Sequence, residues 1–274
     1  MQATSEWIPV GALGEAFMPD NNSLPAIDDL IGKSLTLNFE NGWTIRHDFA
    51  SASRLHWARI EGGRVAEENH EHYMATRPRN GIYFVDLIKS GERATSVSLV
   101  LDTAKQSFIA VIGQLPPAEE SLIPLIRRIE QGKDLAAVSA TFLRGTIDRP
   151  FEATADLPEV TDELVGKRVE YTYSPFEKYE HIYLNEKRYT WHCLDGSEKG
   201  LADTDACHHY RIGDRLYLFV WREKVIPTLG IIMVDLEAMK TTGKIMGYEA
   251  NDFGAIRNFD VGARVRVLPA VPVE

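Results

Sequence analysis

The chain of 274 residues is 44% hydrophobic and 26% charged, which suits a globular protein with a substantial core and excludes a disordered chain. Lys plus Arg number 30 against 40 for Asp plus Glu, a net charge of −10, so the surface repels phosphate backbones and anionic lipid and no nucleic-acid partner is expected. The two cysteines, Cys193 and Cys207, fit a reducing compartment and offer neither a disulfide framework nor a paired-cysteine zinc motif.

Met1-Gln2-Ala3-Thr4-Ser5-Glu6 has no basic segment leading into an apolar one, so no secretory signal is expected and the cytoplasm is the expected compartment. Beyond Leu30 the hydrophobic period is two. Leu35, Leu37 and Phe39 share one face, then Trp43, Ile45, His47 and Phe49, then Leu55 and Trp57, the pattern of half-buried antiparallel strands. Asn41-Gly42 between the first two runs is a hairpin signal, because its backbone tolerates the positive φ of a tight turn. In His70-Glu71-His72 the imidazoles are two apart and would face one side of a strand. No third ligand stands at a recognisable spacing, so solvated histidines beside a loop are expected and no metal is assigned.

Pro116-Pro117-Ala118-Glu119-Glu120 leads into Leu122, Ile123, Leu125, Ile126 and Ile129, with Arg127 and Arg128 towards the end. That spacing and charge order predict a helix, and a second short helix is expected across 134–143. The proline- and acid-rich stretch 150–163 reads as a linker. The boundary is placed there: an N-terminal barrel plus connector helices over 1–149, and the linker with a C-terminal barrel over 150–274.

After the linker the alternation returns: Val169, Tyr171 and Tyr173; Tyr179, His181 and Tyr183; Tyr189, Trp191 and Cys193; Tyr217, Phe219, Trp221 and Glu223. Cys207-His208-His209 invites the same metal reading as the earlier triplet and receives the same answer. The longest apolar stretch, Leu229 to Val234, is bounded by Pro227 and Asp235 and is far too short to span a bilayer. No glycine-rich phosphate loop, serine elbow or dinucleotide fingerprint occurs, so no cofactor is assigned.

The two alternating regions repeat one another. Leu30-Ile31-Gly32-Lys33 returns as Leu164-Val165-Gly166-Lys167, and the same offset pairs His47 with His181, Arg54 with Arg188, Trp57 with Trp191 and Gly62 with Gly196. After a small shift His72-Tyr73 meets His209-Tyr210; the first offset then resumes, matching Tyr83 with Tyr217 and Gly113 with Gly247. About seven or eight short strands per copy predict a mostly all-β chain of two tandem up-and-down barrels joined by a helical connector. Such a barrel is filled by side chains or holds one small ligand, so the inward row is where function is sought.

His47 and His181 are predicted to point inward, either as proton shuttles or as packed, hydrogen-bonded groups. Glu223 ends an aromatic strand face. Desolvation there would make it a general acid, whereas a position beyond the strand end would leave it paired with Arg222 or Lys224 in water. Tyr171 and Tyr173, two apart, could grip a carboxylate or phenol oxygen, or simply pack.

Tyr171-Thr172-Tyr173, Tyr179-Glu180, Trp191 before Gly196, and Trp221-Arg222-Glu223 resemble the pattern of bacterial phenolic acid decarboxylases, small lipocalin-like (calycin) barrels. Asn41-Gly42-Trp43 in the first copy is similar. Over nearly the full chain, the two-copy arrangement resembles the MoaF family, labelled molybdenum cofactor biosynthesis protein F, whose halves are each lipocalin-like. The decarboxylase resemblance implies that Tyr171 and Tyr173 hold a substrate carboxylate and that Glu223 donates a proton. Where that pattern has an arginine shortly after the glycine matched by Gly196, this chain has Gly200-Leu201, and the other copy offers Gly63-Arg64.

The expectation is a cofactor-independent lyase acting on a small aromatic or unsaturated acid inside one barrel. Glu223 or His181 exchanges the proton, Tyr171 and Tyr173 position the substrate, and Trp191, Tyr179, Trp221 and Phe219, with His47, Trp43 and Trp57 of the first copy, form substrate cups. The rival is a non-catalytic lipocalin-like binder of a small apolar or aromatic ligand. Neither membrane nor nucleic acid is an expected partner, and a homodimer is compatible with the sequence.

Overall fold

The computed structural model describes residues 7–269; the N-terminal stretch read above for a secretory signal, residues 1–6, lies outside them. Its contacts form two compact units, one made of Leu24–Gln114 with Ala140–Glu159, the other of the residues up to Ser23, Leu115–Ser139 and Val160 onward.

The first unit is a closed antiparallel barrel of eight strands: β1 (Ser34–Phe39), β2 (Thr44–Phe49), β3 (Arg54–Glu61), β4 (Arg64–Arg79), β5 (Ile82–Ile88), β6 (Thr95–Asp102), β7 (Ser107–Gln114) and β8 (Ser139–Ile147). Each strand pairs with the next, and β8 returns to β1 through Leu37↔Ile147 and Phe39↔Gly145. Period-two patterning puts Leu35, Leu37, Phe39, Phe49, Leu55 and Trp57 inside, because alternate side chains of a strand share a face. Gly42 takes φ 89° at the β1–β2 turn, the left-handed conformation that the Asn-Gly pair was expected to supply.

The second unit repeats the plan with β10 (Arg168–Thr172), β11 (Lys178–Asn185), β12 (Arg188–Asp195), β13 (Ala202–Gly213), β14 (Leu216–Glu223), β15 (Thr228–Asp235), β16 (Lys240–Tyr248) and β18 (Arg264–Leu268). The pairing of β12 with β13 closes the ring. β18 bonds along β10 but meets β16 only at Lys240↔Arg264, while β17 (Ile256–Val261) pairs along β16 instead. A two-residue strand, β9 (Glu159–Val160), lies beside β13. The duplication extends to register: His47 faces Leu35 and Trp57 across its strand neighbours, as His181 faces Val169 and Trp191.

The connector departs from expectation in its helices. Its helix is two short pieces, α2 (Ala118–Ser121) and α3 (Leu125–Glu130), divided at Pro124, which supplies no amide hydrogen for a helical bond. The apolar row faces outward: Leu122, Ile126 and Ile129 are exposed, while Arg128 is buried and donates to the carbonyls of Asp134 and Glu120. No helix forms across 134–143; from Ser139 the chain enters β8, a strand of the barrel between β7 and β1.

A further helix, α1 (Val10–Phe17), packs against β16 and β17. The unit holding the second barrel therefore includes α1, α2 and α3, whereas the boundary at 149/150 had grouped all three with the first barrel. Among the described residues no helix is long and apolar enough to cross a membrane.

Candidate functional site

Alternation along β10, β11, β12 and β14 buries an aromatic interior in the second barrel: Tyr171, Tyr179, Tyr183, Tyr189, Trp191, Phe219 and Trp221, with His181 among them. The His181 ring sits 4.5 Å from that of Tyr171, 5.0 Å from Tyr189 and 5.9 Å from Trp221. Its Nδ1 has no hydrogen-bond partner. Burial drives its pKa down to about 3, so the imidazole is neutral near neutral pH, and a weak base.

Inside the barrel lies a narrow cleft of about 30 Å³, room for little more than a water or two. Its walls carry the aromatic rings of Tyr173, Tyr179, Tyr189, Trp191 and Trp221 beside His181. Two carboxyls, Glu198 and Glu223, face the same space, and Leu13 and Phe17 of α1 line it too. No Lys or Arg is among the lining residues.

Glu223 is the central group. It keeps partial solvent access, and Trp221 Nε1 donates to its Oε1 at 2.9 Å. Burial is the largest influence on its acidity and pushes the pKa well above the usual carboxylate value. Asp205 and Glu198 push the same way, and bonds from Trp221 and Thr228 only partly offset them. The alternative of a solvated Glu223 paired to Arg222 or Lys224 is not what forms: Arg222 pairs with Asp134, and Lys224 with Asp203 and Asp205.

The second carboxyl, Glu198, accepts from the Tyr179 hydroxyl at 3.0 Å, and burial raises its pKa also. Asp205 accepts from Trp191 Nε1 at 3.0 Å and from the Lys224 amide at 3.1 Å, which fixes the indole that walls one side. The Trp221 indole lies over Gly230, its register partner on β15. A Cβ there would meet the ring at 2.0 Å, so only glycine allows this placement.

The structure splits the sequence-based site set. Tyr173, Tyr179, His181, Trp191, Trp221 and Glu223 meet at the cleft. Tyr171 stands behind it: its hydroxyl is shared with that of Tyr183 at 2.5 Å, and its ring stacks on Tyr173 at 6.3 Å, so the two hydroxyls do not form one grip. Phe219 packs against Trp221, 5.4 Å away, as backing. His47, Trp43 and Trp57 belong to a cavity of the first barrel. Arg64, the nearest counterpart of the decarboxylase arginine, is exposed at the β3–β4 turn.

Sequence reading missed Glu198, Gly230 and α1. The helix had a signal in the spacing of Val10, Leu13 and Phe17, while Glu198 and Gly230 had none before the barrel closed.

Both histidine triplets lie on strands and not in loops; His70 and His72 are exposed to solvent as expected, whereas His209 is buried. In β13, Cys207 Sγ is 3.3 Å from His209 Nε2; burial raises the thiol to about 12 and lowers the imidazole to about 4, so both are neutral. In β4, buried Glu71 accepts from the Ser90 amide. Among the described residues no group of three or more His, Cys, Asp or Glu side chains is arranged to hold a metal ion.

The family model described as MoaF N-terminal domain matches residues 5–117, and that described as MoaF C-terminal domain matches residues 158–271. A protein named Protein MoaF from Klebsiella aerogenes is 40% identical over 268 residues, covering 98% of this chain and 97% of its own. A solved structure described as a putative beta-lactamase from Burkholderia vietnamiensis aligns at 15% identity over 38% of this chain and 95% of its own, with a TM-score of 0.32, a likeness too slight to carry any argument. On the two domain matches and the full-length relative, the chain belongs to the MoaF family.

Proposed function

We propose that the second barrel is a cofactor-independent, lyase-type site acting on a small unsaturated or aromatic acid, with Glu223 as proton donor. The observation that carries this reading is a carboxyl facing a cleft among aromatic rings, its pKa pushed well above the usual carboxylate value by burial. An acid kept neutral where surface carboxylates ionise is ready to protonate carbon. The proton adds to an unsaturated carbon, the bond to the substrate carboxylate breaks, carbon dioxide leaves with its electrons returned to the double bond, and water reprotonates Glu223. With no cation in the lining, the substrate carboxylate would be held by a hydroxyl donor, that of Tyr173. His181, pulled to about 3, shapes the wall and does not carry the proton.

The second reading is a non-catalytic cup; the free space of about 30 Å³ is too small for a one-ring acid while Leu13 and Phe17 stay in place, so both readings need α1 to yield. The two are separated by mixing the protein with a panel of hydroxycinnamic and related acids, following absorbance for turnover and heat for binding. The lyase reading expects turnover that falls by about 10²-fold or more in Glu223→Gln with affinity retained. Binding without turnover in the unaltered protein supports the cup; turnover unaffected by Glu223→Gln contradicts the assignment of the acid.

A further inference from the structure

The first barrel holds a second and larger space, a cavity of about 210 Å³. Apolar cavities near 150 Å³ accept benzene, so this one takes a single aromatic ring with a few further atoms. Its walls are mainly Phe39, Ile45, Leu87, Leu99, Ala110 and Ile112, with His47 and Trp57 set among them.

Besides the paired Lys89 and Glu92, two lining residues carry buried polar atoms. His47 and Trp57 are more than nine-tenths buried and stand directly opposite one another in the β2–β3 register. His47 Nδ1 and Trp57 Nε1 have no hydrogen-bond partner. A buried donor left unpaired is costly, and native proteins seldom keep one without a reason.

The other copy shows how such a donor is satisfied internally. There Trp191, the counterpart of Trp57, donates to Asp205, which lies opposite Tyr189 on β13. The same register position in the first barrel, opposite Leu55, is Glu71, but its carboxylate is taken by the Ser90 amide. The first barrel thus keeps the indole and withdraws its acceptor, exactly where the cavity opens.

We infer that the first barrel binds a small, uncharged one-ring aromatic compound bearing a carbonyl oxygen, which accepts from Trp57 Nε1 while the ring fills the apolar cavity. The charge balance selects a neutral ligand. Lys89, the cation of the lining, has its Nζ 4.9 Å from the centre of the Trp57 ring and is paired with Glu92, also in the lining. An anion would arrive without a free counter-charge, and its desolvation would go uncompensated. This site involves no residue of the second barrel and stands whether or not Glu223 is a proton donor.

Calorimetry on the full chain with acetophenone, ethylbenzene and benzoate tests the inference. Acetophenone is expected to bind at least about 10-fold more tightly than ethylbenzene, which keeps the ring and two-carbon side chain without the acceptor. Benzoate is expected to bind more weakly than acetophenone. Trp57→Phe should reduce acetophenone affinity to that of ethylbenzene, and Val97→Trp, which fills the space from a partly exposed wall position, should abolish binding of both. Circular dichroism checks folding; if Trp57→Phe does not fold, Val97→Trp and the ligand series decide. No binding by acetophenone, equal binding of acetophenone and ethylbenzene, tighter binding of benzoate, or binding that survives Val97→Trp would each overturn it.

Discussion

At the scale of single residues, buried titratable groups link structure to pH in opposite directions. His47 has its pKa lowered by burial from 6.5 to about 4, so the unfolded chain takes up a proton first as pH falls. Its contribution to stability, about 3 kcal/mol at roughly 1.4 kcal/mol per pKa unit, is complete above pH 6.5 and is lost as pH drops towards 4. Urea unfolding of the unaltered protein and of His47→Phe across that window should show the wild-type advantage shrinking with acid. A constant gap would mean that His47 titrates normally. Glu223 has the opposite sign. Its raised pKa means the folded state holds the proton longer, so its contribution falls as pH rises above 4.5. Glu223→Gln should therefore gain stability relative to wild type as pH rises above 4.5, and a flat difference would show an ordinary carboxylate. The inward aspect of both histidines was legible because a strand alternates faces. The partner of Glu223 was not, because the Trp221 indole reaches it along its own strand only after Gly230 clears space beneath the ring.

At the scale of elements, α1 and the β14–β15 pair govern access and shape. Phe17 is buried and packs 4.7 Å from the Tyr173 ring, with Tyr179 and Phe259 also in reach. Phe17→Ala should cost about 3 kcal/mol by cavity formation, read as a lower urea midpoint, while enlarging the cleft so that one-ring acids bind more tightly. A destabilised variant with unchanged affinity would mean that α1 does not limit entry. Gly230→Ala should push the Trp221 indole aside at a cost of about 1–3 kcal/mol and lower turnover together with stability. The strands were readable from period-two spacing, since each buries one face. The connector was not: its spacing predicts one helix, but Pro124 divides it, and the buried bonds of Arg128 leave Leu122, Ile126 and Ile129 outward.

At the scale of the molecule, duplication is the most legible feature, because paired residues such as His47 and His181 keep equivalent strand neighbours in both barrels. The extent of the units was less so, as contacts between residues far apart in sequence leave no local signature: α1 packs with β16 and β17, over two hundred positions on in the chain. Residues 150–274 made alone would lack Val10 and Phe17 from their core cluster. That fragment should melt well below the full chain, and equal stability would show α1 to be dispensable. The duplicated plan also ended in two different interiors. One barrel is nearly filled around a neutral acid, and the other is left with a cavity and an indole lacking its acceptor.

The account turns on the protonation of one carboxyl. A carbon-13 NMR titration of glutamate side chains, with Glu223→Gln to assign the signal, measures it directly. The structure predicts a Glu223 resonance that keeps its protonated position after exposed glutamates have ionised and titrates at clearly higher pH than they do. A Glu223 signal that titrates near 4.5 with the others would contradict it.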